Sequence, residues 1–339
     1  MSRFWIAGTG FLGAHLVRHL LDAGHQVTVA SIEGGQVHGL PVEPVDVLDA
    51  GAVERSARGA DGAFLCTGKV SRRAEDAEAM HRLHVVGTRT ALAALRGAGV
   101  PRVVVASTSG TIAVGTDPNR IGSETDAPPL EIIARWPYYR TKYYGEQEAL
   151  AANDPPDFEV VIVNPTLLLG PGDLRDSSTG DVRRFLERKL PATPAGGYAF
   201  VDARDAAAGL LLAFERGRAG ERYLLNAKNL TVAALLERLE RLTGIPAPRL
   251  RLPRGRALAL GLNDVFSRAV EAIGGRPPVS EIDVDLGQHY WYADSSKAER
   301  ELGWRPRDPS DTLRDTVRDL VERRVVLVRS ESSRGAAGG

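Results

Sequence analysis

Tyr138 and Lys142 stand four residues apart in the run Trp-Pro-Tyr-Tyr-Arg-Thr-Lys-Tyr-Tyr-Gly-Glu, and on a helix that spacing puts both side chains on one face. A free tyrosine keeps its proton up to a pKa of about 10, and a nearby ammonium favours the phenolate, which brings the phenol toward acid/base work at neutral pH. Such a pair is useful beside a reacting carbonyl or alcohol. On an exposed helix the same spacing is an ordinary neighbour contact, so the rest of the chain has to decide.

A second constellation lies near the start. Gly8-Thr9-Gly10-Phe11-Leu12-Gly13 follows an apolar, strand-like run and opens a segment with helical spacing, the context in which such a glycine run cradles a pyrophosphate. Gly8 permits the tight turn, Gly10 lets the backbone approach the anion, and Gly13 lets the helix pack closely while its N-terminus faces the phosphates. The adenosine ribose should be read at the end of the next strand, where the chain has Ala30-Ser31-Ile32-Glu33. A 2′-phosphate needs Arg or Lys, and neither occurs in the glycine turn or across residues 27–37. The reading therefore leans to NAD over NADP, with Ser31 or Glu33 on a ribose hydroxyl or Glu33 merely a solvated loop charge. Asp46 could accept from the adenine amine, while Asp49 could equally cap the next helix.

These residues need a scaffold. Apolar runs at 4–7, 27–30, 63–66, 103–106 and 160–163 alternate with helical patterns such as Leu12, Leu16, Leu20 and Met80, Leu83, Leu92, Leu95. Strands apolar throughout and separated by helices predict an α/β, doubly wound parallel sheet covered on both faces. After Gly170-Pro171-Gly172 the rhythm loosens, with helices expected at 183–190, 232–242 and 256–273 and breaks at Pro191, Pro194, Pro246, Pro248 and Pro277-Pro278. The division expected is a dinucleotide-binding domain over residues 1–170, a smaller substrate lobe over 171–328 that returns strands to the main sheet, and a tail over 329–339.

Composition narrows the ligand. The 339 residues carry 43 Lys plus Arg and 43 Asp plus Glu, so no net field favours nucleic acid or an anionic membrane and the partner expected is a small molecule. The one cysteine, Cys66, makes no intramolecular disulfide. No run is apolar for long enough to span a bilayer, and the first strand begins too early for a leader. A soluble cytoplasmic protein is expected, and no metal site is assigned.

Taken together, the chain resembles the extended short-chain dehydrogenase/reductase superfamily, and within it hopanoid-associated sugar epimerases and dihydroflavonol-reductase-like proteins. The residues that carry this are the Gly8 turn, Asp46-Val47-Leu48-Asp49, Gly87-Thr88-Arg89, Ser107-Thr108-Ser109-Gly110-Thr111, Tyr138 with Lys142, and Asn164-Pro165-Thr166 followed by Gly170-Pro171-Gly172-Asp173. Val201-Asp202 with Asp205, and Ser296-Lys297-Ala298 running to Glu301-Leu302-Gly303-Trp304, complete the order. The resemblance implies a Rossmann fold, NAD or NADP as cofactor, and a homodimer through helices spanning 76–95 and 138–151, with small residues Ala77, Gly87, Ala91 and Ala94 for close approach. It implies Thr108 as the hydroxyl that orients the substrate oxygen, Tyr138 as general acid/base, and Lys142 on the nicotinamide ribose, lowering the tyrosine pKa. Ser107 and Ser109 are the alternatives to Thr108 if the register is off by one. Cys66, Thr67 and Gly68 would pass under the cofactor, Asp46 and Val47 would meet the adenine, and Pro165 the nicotinamide amide.

Four departures from the family pattern stand out. The glycine turn is one residue shorter than usual, the residue after the second strand is Ser31 or Ile32 instead of a charge, and the family's helical asparagine aligns with His84. His84 could relay protons or be a packed core histidine. Tyr198 stands where nucleotide-sugar epimerases have an arginine for the substrate diphosphate. Without a guanidinium there, a diphosphate is poorly held, and segments 130–134 and 167–169 with Leu168, Phe185, and His289-Tyr290-Trp291-Tyr292 suggest an apolar pocket. A reductase acting on a ketone or secondary alcohol of a mainly apolar molecule is expected. The alternatives are an epimerase that retains its NAD and a dinucleotide-binding scaffold without chemistry.

Overall fold

The computed structural model describes residues 1–272 and 280–326. Its main sheet contains β1 (Arg3–Ala7), β2 (Gln26–Ser31), β3 (Gly35–Val37), β4 (Leu40–Pro44), β5 (Gly62–Leu65), β6 (Arg102–Ala106) and β7 (Glu159–Pro165). A smaller sheet is formed by β8 (Leu167–Leu169), β9 (Gly197–Asp202) and β11 (Lys228–Thr231), while β10 (Arg222–Leu225) returns to the edge of the main sheet. The eight-stranded order is β10-β7-β6-β5-β1-β2-β4-β3, parallel throughout except for the β3–β4 pair.

Side chains that alternate along β1 explain the two covered faces. Phe4 and Ile6 pack with Leu16, Leu20 and Phe64, whereas Trp5 and Ala7 pack with Leu65, Leu92 and Leu95. A strand buried on both sides has no polar face to show, which is why these segments read as continuous apolar runs. The β3–β4 hairpin was not anticipated. It is short, turns at His38 and Gly39 with φ of 48° and 81°, and carries too few apolar residues to announce itself.

The chain winds outward from β1 through β2 to β4 and then crosses back to β5, β6, β7 and β10. That reversal between β1 and β5 opens a crevice beyond the carboxyl ends of the strands, the usual ligand position in such sheets. The later helices lie at Gly180–Leu186, Val232–Thr243 and Arg256–Ala272, close to expectation, the first starting three residues earlier because Asp173 organises the loop before it. Residue 273, Pro277-Pro278 and the proposed tail at 329–339 lie outside the described residues.

The small residues expected at a dimer seam are used within the chain. Gly87, Ala91 and Ala94 are buried, and a Cβ on Gly87 would lie 3.1 Å from Val47 Cγ2. The close approach of the two long helical segments is also internal: a Cβ on Gly145 would come within 2.3 Å of the His84 carbonyl oxygen.

Candidate active site

The helix Pro137–Ala152 positions the Tyr138–Lys142 pair. Trp136 is its N-cap in extended conformation and Pro137 opens its first turn, where the missing N–H costs nothing and φ is already helical. Tyr138 and Lys142 both face a cleft of about 910 Å³ that begins at Gly8, Gly10, Phe11 and Leu12 and ends among Tyr198, Leu168 and Trp291.

The floor at the dinucleotide end is built by close backbone contact. Gly8 has φ of +102°, and a Cβ there would lie 2.8 Å from the Cys66 carbonyl, so β1 and β5 meet at this point only because glycine is present. Gly13 does not line the cleft; its Cβ would sit 2.0 Å from the Gly8 oxygen, so it closes the turn from behind. Gly10 has nothing within 4 Å of a Cβ, and its bare backbone faces the cleft beside the first N–H groups of the helix Phe11–Asp22. This is a fit for a pyrophosphate: open backbone, free N–H donors and a helix N-terminus. Thr67 and Gly68 continue the same wall, as do Val47 and Pro165. Burial pushes the Cys66 thiol up to about 12, so it is an apolar filler and not a nucleophile.

Asp46 lines the cleft and accepts from the Leu48 N–H at 2.9 Å, whereas Asp49 caps the next helix through the Ala52 N–H at 3.0 Å. At the end of β2, Ser31 and Glu33 both border the cleft. Glu33 is not a free loop charge: Arg175, 142 residues later, pairs with it. No cation in the local window signalled this contact, because it arises from a loop after β8. That loop is ordered by Asp173, which accepts from the backbone N–H groups of Ser177, Ser178 and Thr179 at 2.8 to 3.0 Å.

Thr108 follows β6 in extended conformation and lies against the Tyr138 phenol, near enough for hydrogen bonding to pull the tyrosine pKa down. Burial is the larger effect and drives the phenol well above its ordinary value. Lys142 does not contribute to lowering it here: the ammonium donates to the Ala106 carbonyl at 2.7 Å. This departs from the sequence expectation, and the reason is that the carbonyl at the end of β6 offers the lysine a fixed acceptor while the tyrosine ring lies between His84 and Tyr139, at centroid distances of 5.9 and 5.0 Å. Burial brings Lys142 itself down to about 8. Ser107 and Ser109 also border the cleft, but the Ser107 hydroxyl is spent on Glu146.

His84 is behind the wall. Its Nε2 accepts from the Lys69 N–H at 3.0 Å and its Nδ1 meets Thr141 Oγ1 at 2.9 Å, while that hydroxyl donates to the Tyr138 carbonyl at 3.0 Å. Both nitrogens are satisfied, so the ring is neutral with its proton on Nδ1, and burial holds its pKa well below the ordinary value. His84 props the first turn of the tyrosine helix and is not in the cleft.

The substrate end differs from the apolar pocket expected. Tyr139 stacks on Trp291 at 4.6 Å, and Tyr198, Leu168 and Leu286 add to this wall. However, Arg72 reaches the same space and pairs with Asp283 at 2.5 Å and Asp181 at 3.3 Å, with Arg184 3.8 Å from Asp283. A guanidinium is therefore close to Tyr198 after all, from a loop after β5, although two carboxylates already compensate it. Phe185 is in the core of the second half, Leu130 is exposed, and His289 is buried, with Nδ1 2.7 Å from the Asp285 carbonyl and Nε2 3.1 Å from Arg135. Of the run 289–292, only Trp291 reaches the cleft. Arg72, Arg175 and Tyr139 carried no sequence signal, since each acts through contacts distant in the chain.

Similarity to known proteins agrees with this architecture. The family described as "NAD dependent epimerase/dehydratase family" matches residues 6–225. A Synechocystis protein named as a dihydroflavonol 4-reductase is 36% identical over 94% of this chain and 93% of its own. Sterol demethylase protein B of Methylococcus capsulatus is 33% identical over 96% and 100%, and 4-hydroxy-2-methyl-3-oxo-4-farnesyl-3,4-dihydroquinoline-1-oxide ketoreductase of Stigmatella aurantiaca is 31% identical over 90% and 92%. Among solved structures, a nucleoside-diphosphate-sugar epimerase from Pseudomonas aeruginosa superposes with a TM-score of 0.76 at 26% identity, covering 96% of this chain and 99% of that one. The parallel sheet, the glycine turn and these matches make the chain a member of the NAD-dependent epimerase/dehydratase family, within the extended short-chain dehydrogenase/reductase superfamily.

Proposed function

We propose that this protein is a reductase, moving hydride between a nicotinamide dinucleotide and a ketone or secondary alcohol on a molecule with a mainly apolar body. The observation that carries this reading is the meeting of Tyr138, Thr108 and Lys142 in the cleft that starts at the glycine turn. When bound, the nicotinamide supplies or accepts the hydride. In reduction, the Thr108 hydroxyl holds the carbonyl oxygen and Tyr138 gives it a proton, so the carbonyl gains one hydride and one proton. Lys142, anchored on the Ala106 carbonyl, holds the nicotinamide ribose. A phenol kept protonated by burial suits a donor in this direction.

The aromatic wall of Tyr139, Trp291 and Tyr198 suits a ring or aliphatic body, and the Arg72–Asp181–Asp283 rim suits a polar substituent at its far end. The names of the relatives, a sterol demethylase and a farnesyl-quinoline ketoreductase, fit the same substrate chemistry. NAD is the preferred dinucleotide in this reading, with Glu33 on the ribose. Two copies are expected to assemble through the outer faces of the segments at 77–97 and Pro137–Ala152.

The test is a panel of cyclic and alkyl ketones followed by loss of NADH or NADPH absorbance. The wild type should turn over, and Tyr138→Phe should lose about 10²- to 10⁴-fold in rate while binding the dinucleotide within about threefold of wild type. Normal turnover by Tyr138→Phe would overturn the mechanism. Retention of a co-purified dinucleotide with no net absorbance change during turnover would identify an epimerase instead.

A further inference from the structure

Glu146 is 1% exposed and sits one turn beyond Lys142 and two beyond Tyr138, on the same helix face. A carboxylate so deeply buried is costly unless its oxygens are paired. Its Oε1 accepts from the Ser107 hydroxyl, from Thr111 Oγ1 at 2.7 Å and from Asn164 Nδ2 at 2.7 Å. The same Asn164 amide lies 3.0 Å from the Thr108 carbonyl. Oε2 lies 3.0 Å from Arg222 Nε, in an ion pair whose N–H is not aligned for a hydrogen bond. The carboxylate thus ties the tyrosine helix to the end of β6, to β7 and to β10.

The groups facing Lys142 from each neighbouring element are few. Cys66 at the end of β5 is a neutral thiol, His84 is a neutral imidazole, and Tyr138 keeps its proton. Ala106 gives one carbonyl. Glu146 opposes the burial that lowers the lysine pKa, and its other oxygen pairs with Arg222 at 3.0 Å.

We infer that Glu146 is a positioning residue for the reaction: through Asn164, Ser107 and Thr111 it fixes the backbone of Thr108, and it sets a buried carboxylate one turn from Lys142 on the same helix face. This rests on the Tyr138–Lys142 reading above. The sign follows from the charges. Lys142 is charged below its pKa, so reduction and dinucleotide binding weaken as pH rises through about 8. Removing the neighbouring anion moves that loss to lower pH, and removing the Arg222 charge moves it to higher pH.

The experiment measures, from pH 6 to 10 as about the usable range, both kcat/KM for ketone reduction and the Kd of NADH from its fluorescence. The enzymes are wild type, Glu146→Gln and Arg222→Gln, with thermal unfolding as the check on folding. Expected are an alkaline limb about one pH unit lower in Glu146→Gln and a limb displaced upward in Arg222→Gln, in both readouts. A Glu146→Gln limb that stays at the wild-type pH, with activity scaled down evenly, overturns the proposal by reducing Glu146 to a structural anchor. If Glu146→Gln does not fold, Arg222→Gln decides alone, and a limb that fails to rise is the overturning result. An active Tyr138→Phe sinks the underlying reading, whereas an inactive Tyr138→Phe with immobile limbs sinks only this inference.

Discussion

At Tyr138 two effects compete, and their sizes decide the outcome. Burial raises the phenol far more than the Thr108 contact lowers it, while Lys142 is occupied by the Ala106 carbonyl. A second pair of opposed charges lies at Glu33, which borders the cleft and pairs with Arg175. A carboxylate accepts from ribose hydroxyls and repels a 2′-phosphate, but here Arg175 pairs with it, and a guanidinium is the donor that phosphate recognition uses. Wild type should bind NADH more tightly than NADPH, and Glu33→Gln should narrow that preference by about fivefold, since one charge contact at this exposure is worth on the order of 1 kcal/mol. Arg175→Ala should weaken NADPH more than NADH. Equal NADH to NADPH ratios in all three proteins, by fluorescence titration, would remove both residues from cofactor selection. At this scale the placement of Tyr138, Lys142 and the glycine turn along one cleft was legible because it depends on local spacing, whereas Thr108 was picked out by the family resemblance. Glu146 shares the spacing of the pair and could have been found the same way, as the next residue on the same helical face.

Elements hold these residues at distances that leave little room for a methyl group. The helical segment around His84 and the helix Pro137–Ala152 touch through Gly145, whose Cβ would meet the His84 oxygen at 2.3 Å. Gly145→Ala should therefore cost about 1–3 kcal/mol by forcing the two apart, read as a lower urea midpoint. It should also reduce kcat more than cofactor affinity, because the displaced helix carries Tyr138 in its first turn. Gly13→Ala is the contrasting case: its Cβ would strike the Gly8 oxygen at 2.0 Å, so calorimetry should find dinucleotide binding lost together with stability. Wild-type affinity in a folded Gly13→Ala protein would contradict the role of the turn. The strand β5 illustrates what sequence reading handles well, since a four-residue apolar run between helical patterns has few alternatives. The hairpin β3–β4 illustrates the opposite, because its pairing depends on turn geometry and edge position and not on an apolar pattern.

For the whole molecule, three ion pairs at the cleft bridge segments far apart in the chain: Arg72 to Asp181 and to Asp283, and Arg175 to Glu33. They form rims at opposite ends of the cleft and connect the first half of the chain with loops and helices of the second. Assembly is tested by light scattering. A mass of two chains is expected, and Tyr144→Glu, on the exposed face of the helix Pro137–Ala152 at 49% exposure, should shift it toward one chain; a single-chain mass in wild type would rule out the pairing. Alternating apolar strands and amphipathic helices dictated the doubly wound sheet, and short spacings dictated the glycine turn and the tyrosine–lysine pair, because backbone periodicity and steric rules act over a few residues. Which cations reach Glu33 and the Tyr198 wall, the retreat of His84 and His289 behind that wall, and the burial that sets the Tyr138 and Lys142 proton equilibria were decided by tertiary structure alone. Those properties depend on distance and desolvation between groups up to 211 residues apart, and neither quantity has a local trace in the chain.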